Sequence, residues 1–141
     1  MLSEQIKNLI YAEQARQDGL FIAAGIEEYI AKLGERAEII AHFEAGQCKG
    51  FIAYYCNDYA TKHAFITLFL VDSGVNGSGL GKALMVMVLG IMKQRQFHRC
   101  RLEVVKTNLP ALRFYQGCGF VRVGENSNKY RLELNLLDEL P

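Results

Sequence analysis

The glycine-rich stretch VDSGVNGSGLGKALM, residues 71–85, contains residue types that can bind an anion. It follows an apolar segment ending at Val71 and precedes an apolar helical pattern, so it should connect a strand to a helix. N–H groups at a helix N-terminus favour a negatively charged ligand. Gly77, Gly79 and Gly81 lack Cβ atoms, which lets phosphate oxygens approach the main chain. The stretch predicts a phosphate-containing ligand; the alternative is that its glycines only form tight turns.

The spacing of this loop separates it from two common phosphate-binding motifs. The P-loop, G-x-x-x-x-G-K-[ST], requires a glycine where this chain has Asn76 and a hydroxyl where it has Ala83. The dinucleotide motif G-x-G-x-x-G fails from either Gly77 or Gly79, because its last position is not a glycine. Neither a P-loop nucleotide kinase or GTPase nor a Rossmann protein is indicated.

The loop does resemble the pyrophosphate loop of the GCN5-related N-acetyltransferase (GNAT) family, [QR]-x-x-G-x-[GA] after a strand that ends in Val. The matching positions are Val71, Gly79, Gly81 and Ala83. Asn76 replaces the usual Arg or Gln; it can donate hydrogen bonds but brings no charge. Lys82 would then supply the positive charge, as a point charge rather than as the planar fork of an arginine.

A second segment, NLPALRFYQGCGF, is similar to the family's other signature, N-x-x-A-x-x-F-Y-x-x-x-G-F. The matching positions are Asn108, Ala111, Phe114, Tyr115, Gly119 and Phe120. Asn108 is also a suitable helix N-cap, followed by a tolerated early proline. Two signatures at the family's separation are more specific than either alone. With the order of elements, the resemblance covers about residues 37–134.

The resemblance implies an acyltransferase that uses acetyl-CoA. The implied cofactor-binding residues are Leu70, Val71, Asn76, Gly77, Ser78, Gly79, Leu80, Gly81, Lys82, Asn108, Phe114 and Tyr115. Tyr115 would donate a proton to the departing CoA thiolate, because a phenol with an ordinary pKa of about 10 can protonate a thiolate of similar basicity. Without the signature, Tyr115 would be an amphipathic residue at the core edge. Main-chain N–H groups near Leu70 and Val71 would stabilise the developing oxyanion.

Acetyl transfer to an amine also requires a group that accepts the amine's proton. Glu103 is the best candidate, because burial in the apolar strand RCRLEVV would raise the pKa of its carboxylate. The sequence L-E-V is similar to that of ribosomal-protein N-terminal acetyltransferases, where this glutamate is the proposed base. The alternative is a structural Glu103 that pairs with Arg101, Lys106 or Lys129. Weaker candidates at strand or loop ends are Asp58, His63 and Asp72.

The acceptor is the least determined feature. The resemblance implies that residues 12–36 and the hairpin near residues 125–129 shape its site. Side chains that could line it are Glu27, Glu28, Tyr29, Tyr54 and Tyr55, although such residues are more often surface charges and core aromatics. Three functions stay open: acetylation of a small amine, an amino sugar or amino-acid derivative, by direct attack in a ternary complex; acetylation of a protein N-terminus; and acyl-CoA binding without turnover.

Composition limits the number of domains, the partners, the location and the cysteine chemistry that we expect. A chain of 141 residues, half of them apolar, should form one domain, residues 1–141. A net charge of +1 favours neither nucleic acid nor another polyanion as a partner. No apolar run approaches the roughly 20 residues that span a bilayer, and no signal peptide is indicated, so we expect a cytoplasmic protein without membrane attachment. The scattered cysteines, Cys48, Cys56, Cys100 and Cys118, predict reduced and mostly buried thiols rather than disulfides or a metal site.

Periodicity predicts the order α-α-β-β-β-α-β-α-β-β. Helices are predicted at residues 3–18, 25–34, about 79–96 and 109–117, and strands at residues 37–44, 48–58, 63–71, 99–105, 119–125 and 129–136. The third helix should bury the stripe of Leu80, Ala83, Leu84, Met87, Val88 and Ile91. We expect an α/β (α+β) fold with a mixed, mostly antiparallel sheet, central splayed parallel strands and helices on both faces. An exposed last strand could pair with a second copy, giving a monomer or homodimer.

Overall fold

The computed structural model describes residues 2–17, 22, 25–75 and 77–137. The elements in chain order are α1 (Glu4–Arg16), α2 (Ile26–Arg36), β1 (Glu38–Glu44), β2 (Gln47–Tyr55), β3 (His63–Val71), a 3₁₀ turn (Ser73–Val75), α3 (Leu80–Gln94), β4 (Arg99–Val105), α4 (Leu109–Gly117), β5 (Val121–Glu125) and β6 (Lys129–Asn135). This order is the predicted one, and the predicted bounds of β3, β4 and α4 are confirmed.

The six strands form one mixed sheet in the order β1-β2-β3-β4-β6-β5. β3 and β4 are parallel, and residues 63–65 pair with residues 99–101. β4 pairs antiparallel with β6 along its whole length, from Arg99 opposite Asn135 to Val105 opposite Lys129. In the described part of the chain, β4 is therefore paired on one side only from Leu102 onward. The predicted fold class, with parallel strands inside a mostly antiparallel sheet, is confirmed.

The prediction for the last strand is wrong. β6 lies between β4 and β5, so both of its sides are paired and β5 forms the edge of the sheet. The β5–β6 hairpin reverses the chain and inserts the final strand beside β4. The pairing of β5 with β6 shifts register between Arg122 and Gly124, which is an irregularity typical of sheet edges. Pairing of a second copy through β6 is therefore excluded.

One compact unit comprises residues 1–53 and 68–84. Its core includes Ile6 and Ile10 of α1, Leu33 of α2 and Phe51 of β2. The predicted N-cap of α1 is confirmed, because Oγ of Ser3 accepts a hydrogen bond from the N–H of Ile6 at 3.2 Å. The predicted end of α2 at the glycine after Leu33 is wrong; the helix continues to Arg36, since the packing of Leu33 outweighs the modest cost of an interior glycine.

The other unit comprises residues 54–67 and 85–141 and contains most of α3. Met85, Val88 and Met92 of this helix are buried, whereas Met87 is 54% exposed. The prediction that the helix buries Val88 is thus confirmed, and the prediction that it buries Met87 is wrong. Because apolar residues surround this helix, its period does not show which column of side chains faces the core. No helix in the described ranges has the length and hydropathy needed to cross a membrane.

The cysteines are free thiols, as expected: Cys48, Cys56 and Cys100 are buried, and Cys118 is partly exposed. Burial raises the pKa of the Cys48 and Cys100 thiols. The thiolate is the reactive form, so the buried thiols should react slowly with reagents in solution.

We expect an aromatic disulfide reagent, at about pH 8, near the ordinary thiol pKa, to label only Cys118 in the native protein and all 4 cysteines after denaturation. The reagent's released chromophore measures the number of labelled thiols. The Cys118→Ser variant is the control and should show almost no native labelling. Rapid labelling of Cys48, Cys56 or Cys100 in the native protein would contradict the described packing.

Candidate active site

The glycine loop has an uncrowded main chain. Gly77 and Gly79 adopt left-handed conformations, with φ of 86° and 88°. A Cβ atom at either position would meet no atom within 4 Å, so backbone conformation rather than crowding requires glycine there. Between them, Oγ of Ser78 accepts a hydrogen bond from the N–H of Leu80 at 3.3 Å, where α3 begins. An open main chain beside a helix N-terminus suits phosphate oxygens.

The other predicted loop residues lie in the same unit. Leu70 and Val71 are the last two residues of β3 and are half-buried. Gly81 and Lys82 belong to the first turn of α3, and Lys82 is exposed. Asn76 lies outside the described residues.

The predicted residues of the second signature lie on and before α4. Asn108 is its N-cap, as predicted, because Oδ1 accepts a hydrogen bond from the N–H of Ala111 at 3.2 Å. The ring of Tyr115 packs edge-on against two aromatic rings, with centroids 5.6 Å from Phe114 and 5.9 Å from Phe120. These contacts hold the orientation of the phenol.

Tyr115 has a strongly perturbed environment. Burial raises the pKa of its phenol, and the sulfur atoms of Cys118 and Cys100 raise it further. The side chain nevertheless keeps some exposure to solvent. The phenol is therefore protonated throughout the neutral range and can act as a proton donor.

Glu103 is exposed, so the prediction that it is buried is wrong. β4 alternates, with Leu102 and Val104 facing the core and Glu103 between them facing solvent. The sequence RCRLEVV does not show this alternation of buried and exposed residues clearly, because the apolar residue Val105 is also exposed. Nδ2 of Asn126 donates a hydrogen bond to Oε2 of Glu103 at 3.5 Å.

The predicted ion pairs of Glu103 are not found among the described residues. Arg101 pairs with Glu133 at 2.7 Å, and Lys106 pairs with Glu125 at 2.8 Å. The residue directly opposite Glu103 on β6 is Arg131. Sequence reasoning missed Arg131, because its place depends on the register of two strands that are distant in sequence.

Glu103 and Tyr115 belong to opposite sides of β4. Tyr115 lies near Cys100, whose side chain faces the core. Glu103 is three positions further along the strand and therefore points to the other face. From Leu102 onward, β4 has no described partner on its β3 side. The phenol of Tyr115 and the carboxylate of Glu103 thus lie on opposite faces of β4, and Glu103 belongs to the part of the strand that β3 leaves unpaired.

Most of the predicted acceptor-lining residues have structural roles. Tyr54 is only 1% exposed and cannot contact an acceptor. Tyr29 packs against the core of its unit, and Glu27 accepts a hydrogen bond from the hydroxyl of Tyr11 at 2.9 Å. Asp58, one of the weaker candidates for the base, accepts a hydrogen bond from the N–H of Thr61, as a turn residue does.

Comparison with known proteins agrees with these features. Residues 5–120 match the Acetyltransferase (GNAT) family. This chain belongs to the GNAT family. As a GNAT acyltransferase, it uses acetyl-CoA, and the open glycine loop has a main chain that fits the pyrophosphate of that molecule. No match was found among curated protein sequences.

Solved structures show the same fold. PH1933 from Pyrococcus horikoshii OT3 superposes with a TM-score of 0.79 at 21% identity, covering 99% of this chain and 95% of that one. Ard1 from Thermoplasma volcanium is 30% identical, with a TM-score of 0.65 over 80% of this chain and 78% of that one. PaiA N-acetyltransferase from Thermoplasma acidophilum, in complex with coenzyme A, is 19% identical, with a TM-score of 0.66 over 96% of this chain and 80% of that one.

The raised pKa of Tyr115 predicts a pH effect on stability. The folded protein holds this proton more tightly than the unfolded chain, so the contribution is present below the ordinary pKa of about 10 and is lost as the pH rises above it. We expect the free energy of unfolding of Tyr115→Phe to fall less steeply above that pH than that of the wild type. Tyrosinate absorbance provides the control: the two proteins should differ by one tyrosine near that pH in denaturant but not in the native state.

Gly79→Ala should strain the loop. The left-handed conformation disfavours a side chain by about 1–3 kcal/mol, so the free energy of unfolding should fall by that amount. Binding of acetyl-CoA, measured by calorimetry, should weaken because the new methyl group occupies the open space beside the main chain. Gly90→Ala is the matched control: it lies within α3 with open space around it, and it should stabilise the protein by about 0.5–1 kcal/mol with no change in binding. Wild-type affinity in Gly79→Ala would contradict main-chain binding at this loop.

Proposed function

We propose that this GNAT protein acts in the cytoplasm and transfers the acetyl group of acetyl-CoA to the primary amine of a small molecule, an amino-acid derivative or an amino sugar. The amine attacks the thioester directly in a ternary complex, without a covalent enzyme intermediate. The observation that carries this proposal is the placement of Tyr115 and Glu103 on opposite sides of the half-paired strand β4. One side can receive the donor and the other the acceptor.

The donor side uses the residues of the two signatures. Acetyl-CoA supplies an acetyl group activated as a thioester. The loop from Gly77 to Lys82, with Asn76 before it, would hold the pyrophosphate through main-chain N–H groups, and Leu70 and Val71 would contact the pantetheine arm. Asn108 and Phe114 would border that arm, and main-chain N–H groups would face the developing oxyanion. Tyr115 holds a proton on Oη and donates it to the departing sulfur.

The acceptor side is the exposed face of β4 and β6. Glu103 would accept the proton that the amine loses, and Asn126 would orient its carboxylate. Arg131 lies directly opposite on β6. Its Nη1 donates a hydrogen bond to the main-chain oxygen of Glu125 at 3.3 Å, and the guanidinium lies beside Gly124. Its remaining N–H groups could bind the carboxylate of a substrate. A substrate with an amine and a nearby carboxylate would engage both side chains, which favours an amino-acid derivative over an amino sugar.

A protein N-terminus is the second candidate acceptor. Near Glu103, the exposed side of this sheet carries apolar side chains: Val105 on β4 and Val121 and Val123 on β5 are all exposed. Val121 of β5 lies opposite Glu133 of β6, so the register of these two strands places exposed valines beside charged side chains. An extended peptide could cover these side chains while its α-amino group reached the carboxylate.

A CoA-release assay with panels of amino-acid amides, amino acids, amino sugars and N-terminal peptides tests the proposal. We expect turnover with free amino-acid derivatives. Tyr115→Phe should lower kcat by about 10²-fold, the effect typical of losing a proton donor, with little change in acetyl-CoA affinity. Glu103→Gln should lower kcat/KM for the amine, because no side chain then accepts its proton.

Glu44→Gln is the matched control for Glu103→Gln, since Glu44 is an exposed strand carboxylate that pairs with His42 at 2.9 Å. It should leave turnover unchanged. Unchanged turnover in Tyr115→Phe at saturating substrate would remove the role assigned to Tyr115. Turnover of peptides alone would establish the second candidate, and an unaffected Glu103→Gln would show that another group, such as a water molecule, accepts the proton.

A further inference from the structure

A concave surface lies beside α4, on a face of the helix different from that of Tyr115. It is a cavity of about 570 Å³ between α4 and the β5–β6 hairpin. The helix contributes Leu109, Leu112, Arg113 and Gln116, whose spacing of i, i+3, i+4 and i+7 places them on one face. The volume is within the range of roughly 300–1,000 Å³ typical of small-molecule sites.

The charged side chains that line this cavity are all cations: Lys106, Arg113 and Arg122. Lys106 is neutralised by Glu125, whose Oε1 lies 2.8 Å from Nζ. Within the described part of the chain, Arg113 and Arg122 have no carboxylate oxygen within 4.0 Å. The cavity therefore keeps two guanidinium groups whose charge is not compensated by an ion pair.

The guanidinium of Arg122 is already positioned. It lies over the ring of Tyr130, 4.4 Å from the centroid, and Lys106 lies 5.4 Å from the same centroid. Stacking on an aromatic face leaves the N–H edge of a guanidinium available for hydrogen bonds. Such an edge recognises the paired oxygens of a carboxylate or phosphate.

The cavity also has three leucines in its lining, beside the uncharged side chains of Gln116 and Tyr130. These are Leu109 and Leu112 of α4 and Leu132 of β6, of which Leu132 is fully buried. Leu109 is 56% exposed, so a ligand that covered it would remove apolar surface from water. Charged and apolar linings together select a molecule with an anionic head and an apolar body.

We propose that the cavity of α4, β5 and β6 binds an organic anion, a carboxylate or phosphate monoester carried on an apolar aromatic or aliphatic body. This site is separate from the residues assigned to acetyl transfer, and the inference does not depend on the proposed function. The anionic head contacts Arg113 and Arg122, and the body packs on Leu109 and Leu112.

Titration of the ¹⁵N-labelled protein with four probes tests this site by amide chemical shifts. Phenyl phosphate and benzoate carry head and body, inorganic phosphate carries the head alone, and benzyl alcohol carries the body without charge. We expect phenyl phosphate, benzoate or both to shift amides of residues 109–117, 121–125 and 129–132 with saturation, and the two partial probes to bind at least about tenfold more weakly. The comparison of phenyl phosphate with benzoate shows which head is preferred.

The double variant Arg113→Gln, Arg122→Gln should weaken binding of the preferred probe by at least about tenfold. Arg36→Gln removes an exposed arginine of α2 and should leave that binding unchanged. Leu109→Asp places a repelling carboxylate at the rim and should weaken binding without disturbing the core, which the unaltered amide spectrum would verify. Equal affinity in the double variant, shifts confined to residues 77–82, or no saturation with either complete probe would overturn the proposal.

Discussion

The unequal pairing of β4 is the constraint on which the rest of this structure depends. Its bonds to β6 run from Arg99 to Val105, whereas its parallel ladder with β3 joins only residues 63–65 to residues 99–101. Full pairing on one side joins the strand to the hairpin of β5 and β6. The short ladder on the other side leaves polar main-chain groups of β4 without a described strand partner, and such groups require a hydrogen-bonding partner from water or a ligand.

The alternation of side chains along β4 places Tyr115 and Glu103 in two different environments. Tyr115 lies against the buried side, where burial raises the pKa of its phenol and keeps its proton in place. Glu103 lies on the exposed side, where an amine can reach it from solvent and where Arg131 stands opposite. A single strand thus separates the proposed proton donor from the proposed proton acceptor.

Different faces of the short helix α4 carry the proposed proton donor and part of the proposed anion site. The face of Tyr115 contacts Phe114 and Phe120, and the next face supplies Arg113 to the cationic cavity. The N-cap bond of Asn108 fixes the start of the helix and therefore the rotation of both faces. A ligand that moved α4 at one face would move the other with it.

The sequence by itself determined the order of elements, the family, the glycine loop and the Asn108 cap, because local spacing, turn chemistry and capping depend on residues close together in the chain. It did not determine the exposure of Glu103, the facing column of α3, the interior place of β6 or the position of Arg131. The positions of β6, Glu103 and Arg131 depend on which distant strands pair and in which register, whereas the buried column of α3 depends on how that helix packs. A shift of one residue in register reverses every side chain of a strand, so only the tertiary structure decided which charged groups meet.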